Sequence, residues 1–221
     1  MRETGPAQPL KESTKILALI GLFLAGLLLS AIHPKDYFTW FLEVFPALIA
    51  FAVLAGTYRR FRFTDLTYLF VLLNCYILFI GGHYTYAEVP PFNWIRDTLG
   101  QERNNFDKVG HFVQGFVPAL FVREILVRNH VVARKAWLPG LVVCVCVTVS
   151  VLYEFLEWFV AVTTGEAADA FLGTQGDVWD TQWDMLFALI GASISMLTMA
   201  RWQDRQIEGL VNAEKNQRSH P

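Results

Sequence analysis

Residues 138–162 have the sequence LPGLVVCVCVTVSVLYEFLEWFVAV. This stretch decides the fold, because it is long and apolar and carries no charged residue before Glu154. A membrane-spanning helix needs roughly 20 mostly apolar residues, and this stretch is longer than that. A strand of a membrane barrel would instead alternate apolar and polar residues over roughly ten positions. Since a helix satisfies its backbone hydrogen bonds within the segment, the stretch predicts a helix that crosses a bilayer.

Five more apolar runs lie along the chain, and the connections between them are short. They cover residues 16–32, 40–56, 66–82, 109–127 and 185–200. Together with residues 138–162 they predict an all-α fold, a polytopic transmembrane helical bundle of six spans. We expect a single integral membrane domain over residues 1–221, in which residues 201–221 form a polar tail.

The composition of the chain favours a partner of one kind, the lipid bilayer. Hydrophobic residues make up 54% of the 221 residues and charged residues only 17%, against about 25% charged in soluble domains. The mean hydropathy is +0.36. This composition excludes a disordered chain, and a net charge of −2 excludes a basic face for nucleic acid. The 3 cysteines, an odd number, argue against a disulfide framework.

Lysine and arginine residues divide unevenly between the two sides of the six predicted spans. All but four of the 18 fall in the two terminal tails, in the second connection, or in the fourth connection and the end of the span that leads into it. The other side receives Lys35, Arg96, Arg103 and Lys108. Because positive residues are retained in the cytoplasm, we predict that the N-terminus and the C-terminus are both cytoplasmic.

Ionisable residues at membrane depth are costly, so those within spans are candidates for function. Asp107 and His111 begin the fourth span four residues apart on one helix face, and Gln114 continues that face. Glu154 and Glu157 lie in the C-terminal half of the fifth span. With the predicted orientation, all five residues fall in the non-cytoplasmic half of the membrane.

Two further segments bring polar side chains to the same depth. Asp177, Asp180 and Asp184 lead into the sixth span with spacings of three and four residues. His83 and Tyr84 end the third span. We therefore expect a polar pocket that faces outward. The catalytic candidates are Asp107, His111, Glu154, Glu157, Asp180 and Asp184. The substrate-binding candidates are His83, Tyr84, Gln114 and Asp177.

Three kinds of chemistry fit such a pocket. Carboxylates and imidazole are suitable ligands for a divalent metal ion. Crowded carboxylates at low dielectric also suit acid–base catalysis. A proton or cation pathway is disfavoured, because the cytoplasmic half of the spans looks dry. If a metal binds, its ligands are among His111, Asp107, Glu154, Glu157 and Asp184.

A structural interpretation stays open beside these functional ones. Polar side chains between membrane helices can act as interhelical hydrogen-bonding groups. Asp107 could pair with Lys108 or Arg103. Asp177 and Asp180 could cap the last helix, since its N-terminus favours anions.

Four motifs carry a resemblance that covers the whole chain. They are GGHYTY at 81–86, NFDKVGHF at 105–112, YEFLEW at 153–158 and GDVWDTQWDM at 176–185. In these motifs the chain resembles the YjdF family of multi-pass inner-membrane proteins. The resemblance implies the inner (plasma) membrane of a bacterium and brings no established reaction.

A more distant likeness covers the last three spans only. Asp107-Lys108-x-x-His111-Phe112 is similar to the opening motif of VanZ-like membrane proteins. Glu154 falls where that family places Glu-x-x-Gln, and Asp184 with Gly191-Ala192 looks like its final segment. VanZ-like proteins are linked to resistance against glycopeptide antibiotics.

Two functions remain as hypotheses. One is a membrane-embedded enzyme that acts on the head group of a membrane lipid or an envelope precursor, with a divalent metal as the one cofactor considered. The alternative is a non-enzymatic module that binds a lipid or a partner membrane protein, and a transporter is less favoured than either. The sequence leaves the oligomeric state open.

Overall fold

The computed structural model describes residues 8–165 and 169–219, and its regular elements there are all helical. About 82% of the described residues lie in helices. The α-helices are α1 Gln8–Ser30, α2 Tyr37–Thr57, α3 Asp65–Tyr84, α4 Pro90–Leu99, α5 Phe106–Arg128, α6 Leu138–Thr164, α7 Asp169–Leu172, α8 Asp180–Thr198 and α9 Ala200–Ser219. The predicted all-α fold is confirmed.

The helices have the lengths that a membrane requires. Five of them, α1, α2, α3, α5 and α6, are long and apolar enough to cross a bilayer. Helices α8 and α9 pass the same test together and bend by 62° where they meet, so the number of spans rises to six if the pair forms one span. The segment expected as a polar tail is therefore largely helical, since α9 extends to Ser219.

Helices α5 and α8 cross with their backbones in contact. A Cβ atom on Gly115 would lie 1.9 Å from the Ala188 carbonyl oxygen, and one on Gly191 would lie 2.0 Å from the Phe112 carbonyl oxygen. Small residues at a helix crossing allow such an approach in a membrane, where packing replaces the hydrophobic effect as the driving force. Ala119 and Ala192 continue the contact, so the two helices start at the same end of the bundle.

The remaining helices pack around this pair in two groups. Helix α6 packs on one side through Val142 and Cys146. Helices α1, α2 and α3 form a separate apolar cluster around Phe23, Val44 and Phe79. Helix α3 then joins the α5 side through a third apolar cluster.

The end of α5 farther from His111 also holds buried polar side chains, so the expectation that the half of the spans opposite the candidate site is dry is wrong. Glu124 is fully buried and accepts hydrogen bonds at 2.8 Å from the Thr64 amide, the Thr64 hydroxyl and the Thr67 hydroxyl. Gln203 of α9 is also fully buried and donates to the Leu120 carbonyl at 2.7 Å. The sequence conceals this site because its partners are far apart along the chain.

We predict that Gly115→Ala destabilises the protein. The added Cβ would overlap the Ala188 carbonyl, and overpacking of this kind costs about 1–3 kcal/mol. Thermal unfolding in detergent measures the effect. The matched control is Gly21→Ala, because nothing lies within 4 Å of a Cβ at that position of α1. Equal melting temperatures for the two variants would contradict the close crossing.

Candidate functional site

Three helices bring acidic side chains to one imidazole. Asp107 and His111 lie one turn apart on α5, Asp180 and Asp184 lie one turn apart on α8, and Glu154 projects from α6. All five side chains are buried, and Asp184 is only 2% exposed. We call these residues the acid–histidine cluster. Their convergence follows from the α5–α8 crossing, which places His111 beside Asp184.

The imidazole of His111 faces three carboxylates, one from each of the three helices. Its Nε2 atom lies 3.3 Å from Asp107 Oδ1 and 3.7 Å from Asp184 Oδ1. On the other side of the ring, Nδ1 lies 3.9 Å from Glu154 Oε1. The ligand atoms of Asp107, His111 and Asp184 all lie within 4.8 Å of one another.

Within residues 8–165 and 169–219, several polar atoms of the cluster have no hydrogen-bond partner. They are His111 Nδ1, Glu154 Oε1 and Asp184 Oδ1, and each is buried. Buried polar groups in native proteins are nearly always hydrogen bonded, so an unpaired group calls for an explanation. Here His111 Nδ1 faces Glu154 Oε1, and Asp184 Oδ1 faces Nε2 of the same ring, so the unpaired atoms all lie around one imidazole.

Arg103 is the cation of the cluster. It precedes α5, and its Nη1 donates to Asp180 Oδ1 and, at 3.2 Å, to Asp177 Oδ2. Its Nη2 lies 3.5 Å from Asp107 Oδ2. Burial disfavours the charged guanidinium, but the hydrogen bond to Asp180 and the surrounding carboxylates outweigh burial and raise the pKa of Arg103. The side chain therefore stays positive and neutralises part of the acidic charge.

The loops that precede α5 and α8 are fastened to each other. The Asn104 amide donates to Gln175 Oε1 at 2.8 Å, and Gln175 Nε2 donates to the Asn104 carbonyl at 2.9 Å. The Asn104 side chain, which is fully buried, also donates to Val89 O and Asn93 Oδ1. These bonds hold the starts of α4, α5 and α8 together and fix the position of the cluster.

Two more acids adjoin the cluster. Glu43 of α2 is 5% exposed and interacts electrostatically with Asp107 and His111. Glu157 of α6 is partly buried and interacts with Glu154, His111 and Glu43. Sequence reasoning missed Glu43, although a lone glutamate inside the apolar run at 40–56 was a signal for it.

The candidate substrate-binding residues are distributed differently. Asp177 joins the cluster through Arg103 and also accepts from the Trp179 amide at 2.9 Å, as a cap of α8 would. Gln114 is half-buried one turn beyond His111. His83 bonds instead with the Ser30 carbonyl at 3.0 Å, and Tyr84 is 40% exposed. The side chains of His83 and Tyr84, at the end of α3, therefore do not point toward the cluster.

An all-helical bundle of five or six apolar spans with charged side chains buried between them defines a multi-pass membrane protein. Residues 15–205 match the family model described as "Predicted membrane protein (DUF2238)". The chain is also 44% identical over 210 residues to the inner membrane protein YjdF of Escherichia coli (strain K12), across 94% of this chain and 99% of that protein. No solved structure matches.

The chain therefore belongs to the DUF2238 family of membrane proteins, and the predicted resemblance to YjdF is confirmed. It is a multi-pass protein of the inner membrane. The likeness of its last three spans to VanZ-like proteins stays a prediction.

We predict that Arg103→Ala destabilises the protein strongly. Removal of one partner from a buried ion pair costs about 3–5 kcal/mol, because the other charges stay buried without compensation. Thermal unfolding in detergent again measures the loss. The control is Arg96→Ala, since Arg96 forms an exposed pair with Asp97 that contributes at most about 1 kcal/mol. Similar losses for both variants would show that the cluster does not depend on the guanidinium.

Proposed function

We propose that this inner-membrane protein is an enzyme that acts on the head group of a membrane lipid or envelope precursor. The observation that carries the proposal is the imidazole of His111, which three helices surround with carboxylates at 3.3, 3.7 and 3.9 Å. A packed bundle does not need this arrangement for stability, because buried charges cost more than apolar residues of the same size.

The depth of the cluster supports a head-group substrate. Exposed tryptophans lie near the same end of the bundle, on α4, at the C-terminal end of α6 and at the start of α8. They are Trp94, Trp158, Trp179 and Trp183. Tryptophan is enriched where a membrane meets water. The cluster begins within a turn or two of this level, where polar head groups and water are both within reach.

The residue types support proton transfer as the chemistry. His111 and Asp107 serve as base or ligand partners, and the other acids, Glu154, Glu157, Asp180 and Asp184, serve as acid–base or ligand groups. A positioned acid or base of this kind contributes typically 10²- to 10⁴-fold to a rate. Cys75 and Cys146 belong to apolar clusters, which argues against cysteine as a nucleophile.

One observation favours the non-enzymatic alternative, a lipid-binding module. A cavity of about 240 Å³ lies between α1, α2 and α3, and apolar side chains such as Phe23, Phe51 and Leu72 line it. Such a cavity suits a lipid chain. A continuous ion pathway is less well supported, since Phe116, Val117 and Leu120 form an apolar layer along α5 between its two polar ends.

We predict that His111→Ala and Asp184→Asn abolish the activity in cells. Cells that lack the protein are complemented with each variant, and their lipids and lipid-linked envelope precursors are compared by mass spectrometry. Both variants should reproduce the head-group profile of the cells without the protein. The purified variants should turn over an identified substrate about 10²- to 10⁴-fold more slowly than the wild type.

Asp97→Asn is the control. Asp97 is an exposed acid on α4, so this variant should restore the head-group profile fully. If His111→Ala and Asp184→Asn restore it equally well at the same protein level, the proposed enzyme is wrong. If the wild-type protein retains a lipid through purification and leaves its head group unchanged, the binding module replaces the enzyme.

We propose further that both termini are cytoplasmic, on the basis of the lysine and arginine distribution. A C-terminal fusion to green fluorescent protein should fluoresce, and a C-terminal fusion to alkaline phosphatase should be inactive. A cysteine introduced at Thr174, in the exposed loop before α8, should react with a membrane-impermeant thiol reagent in intact spheroplasts. An active phosphatase fusion together with an unreactive cysteine at position 174 would reverse the orientation and place the acid–histidine cluster on the cytoplasmic side. An active fusion with a reactive cysteine would mean that α8 and α9 do not form a span.

A further inference from the structure

We propose that the acid–histidine cluster binds one divalent transition-metal ion, with Zn²⁺ as the best fit. The ligands are His111 through Nε2 and one carboxylate oxygen each from Asp107 and Asp184, while Glu154 orients the imidazole from the other side. The inference deepens the proposed function and rests on it for the role of the ion in turnover, but the binding itself can be tested alone.

The distances between the ligand atoms fit a shared ion. Zinc bonds to imidazole nitrogen and carboxylate oxygen are about 2.0–2.2 Å long, so two ligands at a tetrahedral angle lie about 3.4 Å apart. From His111 Nε2, Asp107 Oδ1 lies at 3.3 Å and Asp184 Oδ1 at 3.7 Å.

The unpaired atoms support the same site. Asp184 Oδ1 is buried and has no hydrogen-bond partner in the described part of the chain. It points at the imidazole with a side chain that is 3% exposed. A carboxylate oxygen in that position needs a cation or a hydrogen-bond donor, and His111 Nε2 lies beside it at 3.7 Å. With the imidazole proton on Nδ1, an ion between them would bind both Asp184 Oδ1 and the lone pair of Nε2.

Glu154 is placed to hydrogen-bond the histidine ligand rather than to bind the ion itself. Its Oε1 faces Nδ1, at 3.9 Å, on the side of the ring away from Nε2. Metal-bound histidines almost always donate their second ring N–H to a carboxylate or carbonyl, which fixes the ring and its tautomer. Both Glu154 Oε1 and His111 Nδ1 are buried without other partners, so each is available for this bond.

The charge of the cluster also calls for a cation. Asp107, Asp180, Asp184 and Glu154 are all buried, and Glu43 lies beside them. Among the described residues, the guanidinium of Arg103 is the cation that pairs with these carboxylates, and a protonated His111 would add at most one more positive charge. A divalent ion offsets two negative charges while the imidazole stays neutral. The lone pair of Nε2 therefore remains available to bind the ion.

Three protein ligands leave a fourth position for water or a substrate oxygen, which is the pattern of catalytic rather than structural zinc sites. The oxygen of a phosphate or carboxylate group on a lipid head group has the right chemistry for that position. This assignment gives the cluster a way to attract an anionic substrate despite its many carboxylates.

The test is direct metal binding by the full-length protein in lipid nanodiscs. The protein is stripped with chelator, and Zn²⁺, Mn²⁺ and Mg²⁺ are each titrated by calorimetry and by metal analysis after gel filtration. We expect one bound Zn²⁺ per chain and weaker binding of Mn²⁺. Mg²⁺ should be weakest, because it prefers oxygen ligands alone. His111→Ala, Asp107→Asn and Asp184→Asn should lose stoichiometric binding.

Glu154→Ala should retain one site but weaken it about 10- to 100-fold, the usual effect of removing an outer partner. Asp97→Asn is the matched control and should bind as the wild type does. Equal loss in Glu154→Ala and His111→Ala would overturn the assignment of Glu154. Failure of the wild type to bind any of the three ions would overturn the metal site.

The two proposals fail in different ways. If the wild type binds no ion and chelator leaves its lipid activity unchanged, the metal site is wrong and the enzyme stands. If Zn²⁺ binds one per chain while the ligand variants leave the head-group profile of cells intact, the metal site stands and the enzyme is wrong.

Discussion

The close crossing of α5 and α8 is the constraint on which the rest of the structure depends. Gly115 and Gly191 leave no room for a side chain against the facing backbone. A larger spacing between the helices would separate His111 from Asp184, whose facing atoms lie only 3.7 Å apart. In lipid such packing is a main source of helix association, so the same contact stabilises the bundle and assembles the acid–histidine cluster.

The two polar sites along α5 differ in how completely their groups are paired. Asp107 and Glu124 lie about 25 Å apart at 1.5 Å rise per residue. Around Glu124 the two Thr64 groups, Thr67 and Arg128 all donate to the carboxylate. Such a network contributes to a unique fold. Around His111 several buried atoms have no hydrogen-bond partner among the described residues, and this contrast supports the proposal that the acid–histidine cluster is the functional site.

Much of the fold could be predicted because hydropathy is a local property of the sequence. The run at 138–162 predicts α6, which extends over Leu138–Thr164. Depth in the membrane is also local, which is why acids from separate spans could be placed at one level. The direction in which a side chain points is not local. His83 lies at the end of α3 as predicted, yet it bonds with the Ser30 carbonyl, and Glu43 was missed although it adjoins His111.

An apolar layer separates the Glu124 site from the acid–histidine cluster, and it constrains how a ligand could reach the cluster. Between them, Phe116, Val117 and Leu120 are packed against Leu66 of α3, and the α5–α8 crossing closes the other side of α5. A polar ligand that crossed this layer would have to leave its water and break the packing of three helices. Under the proposed function, a ligand would therefore approach the acid–histidine cluster from the end where α5 and α8 begin, past the loop that Arg103 and Asn104 hold in place.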